Sequence, residues 1–279
     1  MAYTAEISRQ NPSCFLFVID QSGSMSDSFS SPPKPKAQGV ADAVNKLLQN
    51  LVIKCAKSEG IRNYYYVGVI GYGKEISSAF IGELIGKDII PISEIADKPA
   101  RIEERTKKTD DGAGGLIDQT VKFPIWFDAV SNNGTPMTQA FQKANSLIET
   151  WLQQHPDCFP PTVIHITDGE STDGDPTKEM QQLTSKSSND GNVLLFNLHL
   201  SNNPNAKQIE FPSNTELLPD QYSQMLFATS SPLTSFMIDI AKKEYNLNVS
   251  ENSKGFVLNG DLALIITAME IGTRPSNLR

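Results

Sequence analysis

Cys14–Ile19 (CFLFVI) is a continuous apolar run that stops at Asp20. A strand with one wet face alternates apolar and polar residues. A run without alternation marks a strand buried on both faces, as in parallel sheets covered by helices. Parallel neighbours need a crossover connection, and the next residues supply one. Ser30–Lys36 (SSPPKPK) is too rich in proline for regular structure. Val40, Val44, Leu47, Leu48, Leu51 and Cys55 then recur at spacings of three and four, the pattern of an amphipathic helix. Gly60 is expected to end it. Tyr64–Ile70 (YYYVGVI) reads as a second strand, so the chain opens strand, helix, strand.

The same alternation returns after Gly134. Met137, Phe141, Ala144, Leu147, Ile148, Trp151 and Leu152 form a helical stripe, with Pro136 expected as its first residue. Thr162–Thr167 (TVIHIT) is another buried strand, ending at Asp168. A helix is expected over Pro176–Ser187, a strand over Asn192–Leu200 and a short strand over Met225–Ala228. Helices are expected over Leu233–Tyr245 and Leu262–Ile271. Strands alternating with helices predict an α/β fold, a doubly wound, mostly parallel central sheet with helices on both faces.

Gly73–Val130 breaks the pattern. Ile76–Ile85 is read as holding a strand, Ile89–Ile95 as mixed, Arg101–Thr109 as charged and Asp110–Gly115 (DDGAGG) as a loop. Its glycine and proline argue against a separate core. A single domain over residues 1–279 is therefore expected. It carries an elaboration at about 74–130 and a C-terminal helical extension at about 230–279.

Charge excludes some partners. Lys+Arg is 24 and Asp+Glu is 32, a net charge of −8. Such a chain lacks the cationic footprint that nucleic acids and anionic membrane surfaces require. No segment approaches the roughly 18 apolar residues that span a bilayer, and MAYTAEISRQNPSC lacks the layout of a secretory signal. Cys14, Cys55 and Cys158 are three, far apart and without a C-x-x-C pair, which fits reduced thiols and a cytoplasmic location.

In doubly wound sheets, ligands bind beyond the carboxyl ends of the strands. Three polar turns fall at such ends. Asp20-Gln-Ser22-Gly-Ser24 follows the first strand, Thr135 follows Asn132-Asn133-Gly134, and Asp168-Gly169-Glu170 follows TVIHIT. They offer two carboxylates and three hydroxyls, with no histidine or cysteine. All-oxygen donors point to a hard cation: Mg²⁺, with Mn²⁺ or Ca²⁺ as alternatives.

FVIDQSGSM, NNGTPMT and HITDGE, in that order, resemble the metal-ion-dependent adhesion site of von Willebrand factor A-type domains. The resemblance covers the framework from about Ser13 to Ala228, and every motif position is filled. It implies Ser22, Ser24 and Thr135 as direct metal ligands, with Asp20 and Asp168 acting mostly through water. It implies an open coordination position filled by an Asp or Glu of a partner protein. The wording GTPMT and TDGESTDGD looks most like cytosolic bacterial A-domains of the tellurite-resistance type. That implies a scaffold or adaptor in a stress or phosphorylation-linked system, with a Ser/Thr kinase or a metal-dependent Ser/Thr phosphatase as partner. The separation of Asp20 from Thr135 exceeds the compact family pattern, and the Gly73–Val130 elaboration accounts for it.

Two other functions compete. A haloacid dehalogenase-type phosphohydrolase also places an Asp after its first strand, but needs a second Asp two residues on, where this chain has Ser22. A structural subunit with a vestigial site is disfavoured by the intact five-residue set. The expected function is non-enzymatic recognition. Glu170 and Asp173 are expected as solvated neighbours, His165 as a core residue, and Gly71-Tyr-Gly73 lacks the third glycine of a dinucleotide fingerprint.

Overall fold

The computed structural model describes residues 3–28, 34–110, 115–201 and 207–273. Its strands are β1 (Ser13–Asp20), β2 (Tyr65–Tyr72), β3 (Ile76–Ser78), β4 (Ile89–Pro91), β5 (Arg101–Asp110), β6 (Leu116–Ile125), β7 (Thr162–Thr167), β8 (Leu194–His199), β9 (Ile209–Glu210) and β10 (Phe256–Leu258). Its helices are α1 (Lys36–Cys55), α2 (Ile92–Asp97), α3 (Met137–Gln154), α4 (Thr177–Ser185), α5 (Gln221–Thr229), α6 (Ser235–Lys243) and α7 (Leu262–Thr273).

The central sheet runs β9-β10-β8-β7-β1-β2-β3, with β4 also on β2. The β10-β8, β8-β7, β7-β1 and β1-β2 pairs are parallel. β3, β4 and β9 join antiparallel at the edges. This is the mostly parallel α/β architecture that the apolar runs predict. Every residue of β1 is buried. Phe15, Phe17 and Ile19 pack with α1 and α7 on one face, while Cys14, Leu16 and Val18 pack with α3 and α4 on the other. From β1 the chain crosses to β2 on one side and later to β7 on the other, so the order reverses between β1 and β7. That reversal opens a crevice at the carboxyl ends of these two strands.

Several boundaries differ from the sequence reading. α1 ends at Cys55 and not at Gly60. A two-residue hairpin, Ala56–Lys57 with Gly60–Ile61, follows it, and Gly60 turns it at φ +117°. Pro136 is the cap residue before α3 and not its first helical residue. Met225–Ala228 lies inside α5, not in a strand. Asp220 caps that helix by accepting from Ser223 N–H at 2.6 Å, and the tertiary contacts of Leu226 and Phe227 favour the helix. Phe256–Leu258, unassigned in the sequence, pairs with β8, so residues 230–273 contribute a central-sheet strand as well as α6 and α7.

The charged stretch from Arg101 is a long hairpin, β5 with β6. Its inner face carries Phe123 and Ile125, and Arg105 spans the gap to α1. The guanidinium bonds Asp42 Oδ1 at 2.9 Å and stacks over the Phe123 ring at 3.8 Å. Asp110 closes β5. Residues 111–114 of the expected DDGAGG loop and residues 29–33 of the proline-rich segment lie outside the described residues. Among the described residues no helix is long and apolar enough to cross a membrane. The three cysteines are unpaired and buried.

Candidate metal centre

Asp20 ends β1 with its carboxylate buried. Its Oδ1 accepts from Ser22 N–H at 2.8 Å, which folds the chain back into the tight turn that follows. Its Oδ2 accepts from Thr167 Oγ1 at 2.8 Å. The turn continues as a short 3-10 segment, Gly23–Ser26, anchored by the buried Met25. There Ser22 Oγ and Ser24 Oγ lie 3.1 Å apart, and Ser24 Oγ donates to Asp168 Oδ1 at 2.7 Å. Asp20, Ser22, Ser24 and Asp168 are thus joined by short hydrogen bonds at the mouth of the β1/β7 crevice.

Thr135 reaches the same end by its backbone. Its N–H donates to Thr172 Oγ1 and its carbonyl accepts from Thr172 N–H, both at 2.9 Å. The loop before it is pinned to the first turn by Asn132 N–H to Gln21 O at 2.7 Å and Gly23 N–H to Asn133 O at 2.9 Å. Gly73 permits this approach. A Cβ there would sit 2.8 Å from Gln21 O and 2.9 Å from Asn132 O. The glycines of Gly71-Tyr-Gly73 therefore serve loop packing, a role the missing third glycine left open. Thr135 itself is buried.

The donor set fits a hard cation. A serine hydroxyl that gives its proton to a carboxylate keeps its lone pairs for a metal, and Ser24 does so toward Asp168. Burial holds the Asp20 carboxyl above its ordinary value, against hydrogen bonds from Ser22 and Thr167, and repulsion from Asp168 adds to the rise. A bound cation relieves both the desolvation and the repulsion. Among the described residues no cluster of three or more His, Cys, Asp or Glu side chains offers an alternative metal site. The cluster at the β1/β7 crevice combines two carboxylates with serine hydroxyls.

Three neighbours complete the picture. Asp173 is not simply solvated. It accepts from Thr138 N–H at 2.9 Å and Gln139 N–H at 3.0 Å and so caps α3 from another loop. Burial raises its carboxyl, but these bonds and the Ser171 hydroxyl outweigh burial and leave it below the usual range. Glu170 is exposed. His165 is a core residue, with Nε2 2.7 Å from Tyr72 Oη and Nδ1 2.8 Å from Asn197 Oδ1. Asn197 Nδ2 donates to Leu226 O, which leaves Oδ1 to accept from His165 Nδ1–H and assigns the proton to that nitrogen.

Sequence reasoning missed Lys36. Its Nζ lies 2.9 Å from Asp168 Oδ2, and both side chains are almost fully buried. The signal is a lysine that closes SSPPKPK and opens the first helix.

No protein-family model and no curated protein matches the sequence. Solved structures align with the fold at low identity. Proximal thread matrix protein 1 from the mussel byssus, described with a zinc-occupied metal-ion-dependent adhesion site, is 12% identical. It aligns over 96% of this chain and 48% of its own, with a TM-score of 0.46. The pilus adhesin SpaC from Lactobacillus rhamnosus GG is 12% identical, over 96% of this chain and 31% of its own, with a TM-score of 0.47. The von Willebrand factor domain of the type V pili tip protein Mfa5 from Porphyromonas gingivalis is 16% identical, over 58% of this chain and 39% of its own, with a TM-score of 0.31. The chain spans about half or less of the length of these proteins.

Proposed function

We propose that this chain is a divalent-cation-dependent protein-interaction module and not an enzyme. Asp20, Ser22, Ser24, Thr135 and Asp168 hold the cation, and Mg²⁺ is the ion proposed. When bound, the ion supplies an electrophilic position that an anionic oxygen from another molecule completes. The reading rests on one observation: Ser24 donates its proton to Asp168 at the switch point, 3.1 Å from the hydroxyl of Ser22, so several oxygen lone pairs converge there. Asp20 is held in a fixed orientation by Thr167 and by the turn. The site lacks the paired base of a phosphohydrolase, since Ser22 stands where a second Asp would be needed.

The partner is a protein presenting an Asp or Glu, because a charge-assisted contact to a carboxylate is the strongest such a centre can make. The partner we propose, as the motif resemblance implies, is a cytoplasmic Ser/Thr kinase or a metal-dependent Ser/Thr phosphatase. The test is calorimetry with Mg²⁺ and Mn²⁺ on wild type and Asp20→Asn. Wild type is expected to bind one ion, and Asp20→Asn at least about tenfold more weakly. Equal binding by both proteins overturns the assignment.

A further inference from the structure

The cation-binding reading leaves one buried charge unexplained. Lys36 is the first residue of the 20-residue α1, and its side chain is 3% exposed. That position is doubly unfavourable for an ammonium. Burial strips its hydration, and the positive end of the helix dipole repels it. The backbone there is already fixed without the side chain, since Lys36 N–H donates to Asp27 O at 2.9 Å. Within the site the side chain lies against Asp168, 2.9 Å from Oδ2, while Oδ1 of the same carboxylate takes the Ser24 proton. One carboxylate therefore faces a fixed cation on one oxygen and the proposed metal position on the other.

We propose that Lys36 is a built-in counter-cation of the metal centre. It neutralises Asp168 when the ion is away, and by repulsion it holds the site's affinity for divalent cations below what the oxygen donors alone would give. This inference rests on the cation-binding reading. The formal charge of the centre is then −1 and not −2 without metal, and +1 and not 0 with it. An ion bound here exchanges more readily and attracts an anionic oxygen more strongly. Like-charge repulsion scales with the charge of the ion, so a trivalent ion feels Lys36 more than a divalent one. A lysine that merely filled space would not discriminate between them.

The experiment titrates Mg²⁺ and Tb³⁺ into the full chain as wild type, Lys36→Met and Lys36→Arg. Lys36→Met is expected to bind Mg²⁺ about tenfold and Tb³⁺ about thirtyfold more tightly than wild type. It should melt below wild type in chelator, because the buried Asp168 carboxylate loses the neutralising ammonium at Oδ2, and recover in saturating Mg²⁺. Lys36→Arg should stay within about threefold of wild type for both ions. Unchanged or weaker Mg²⁺ binding by Lys36→Met, or an equal gain for the two ions, overturns the proposal. If Lys36→Met does not fold in chelator, it and Lys36→Gln are refolded in Mg²⁺. Recovery supports the counter-cation, and failure of both to recover overturns it. If Lys36→Met binds Mg²⁺ and wild type does not, the counter-cation stands and the cation-binding reading of the natural chain falls. If neither binds, both fall.

Discussion

Thr167 Oγ1 donates a 2.8 Å hydrogen bond to Asp20 Oδ2 and ties the end of β7 to the end of β1 across the switch point. The other Asp20 oxygen accepts from Ser22 N–H, so the carboxylate is fixed at both oxygens. Thr167→Val keeps the shape and removes the donor. We expect metal affinity to fall by about 10–100-fold, as for other residues that orient a metal ligand, with about 1 kcal/mol of stability lost. Calorimetry and urea denaturation measure the two. Wild-type affinity in Thr167→Val would show that Asp20 holds its orientation without this bond.

Metal binding should appear as stability. With free Mg²⁺ about a hundredfold above its dissociation constant, wild type gains about 2.7 kcal/mol. Ser24→Ala removes both a hydroxyl donor and the bond to Asp168 Oδ1, so its melting temperature should barely respond. A thermal scan of each protein in Mg²⁺ and in chelator decides it. Equal shifts would place the ion elsewhere.

Acid should destabilise the fold through two histidines. Burial lowers His165 to about 4, against the Asn197 bond that raises it, and the neighbouring His199 lowers it further. Burial lowers His199 to about 4 as well, against the Thr167 carbonyl. Both fold as neutral rings, so their contribution is complete above the unfolded value of 6.5 and is lost as pH falls from there toward 4. Each accounts for about 3 kcal/mol at most. Denaturation midpoints between pH 7 and pH 4 should fall steeply in wild type and less steeply in His165→Gln. Parallel profiles would mean that His165 does not set the acid limit.

Asn45 is a buried clamp between α1 and the segment after β6. Its Oδ1 accepts from Trp126 N–H at 2.8 Å and Phe127 N–H at 3.1 Å, and its Nδ2 donates to Phe127 O at 2.7 Å. Asn45→Ala strands three buried backbone groups and should cost about 3 kcal/mol or more. Urea denaturation gives the value. A loss below about 1 kcal/mol would mean that water replaces the amide.

Catalysis is expected to be absent. Purified protein with Mg²⁺ should not hydrolyse generic phosphate esters at a rate that depends on Asp20. Turnover abolished by Asp20→Asn, with Thr135→Ala retaining it, would restore the phosphohydrolase alternative.

The core of the fold was legible because burial on two faces leaves an unmistakable trace. CFLFVI, TVIHIT and the run around Leu194–His199 have no polar alternation, and each became a parallel strand. The three polar turns at strand ends were legible for a related reason. A chain leaving a buried strand must turn, and Asp20, Ser22, Ser24 and Asp168 are residue types that turns favour, so it is their recurrence at successive strand ends that is legible. What the sequence could not disclose depends on partners far along the chain. Met225–Ala228 has the composition of a strand, but the Asp220 cap and packing against α4 and β10 made it helical. Phe256–Leu258 is too short to carry a period and is a strand only because β8 lies beside it. Lys36 shows the same limit at the site. In the sequence it is a lysine after prolines. Only the crossover that brings the start of α1 to the end of β7 sets its ammonium 2.9 Å from Asp168, in a buried ion pair beside the three polar turns. Local pattern thus disclosed the buried strands, the long amphipathic helices and the polar turns, whereas long-range packing decided the fate of Met225–Ala228 and Phe256–Leu258 and which charge stands beside those turns.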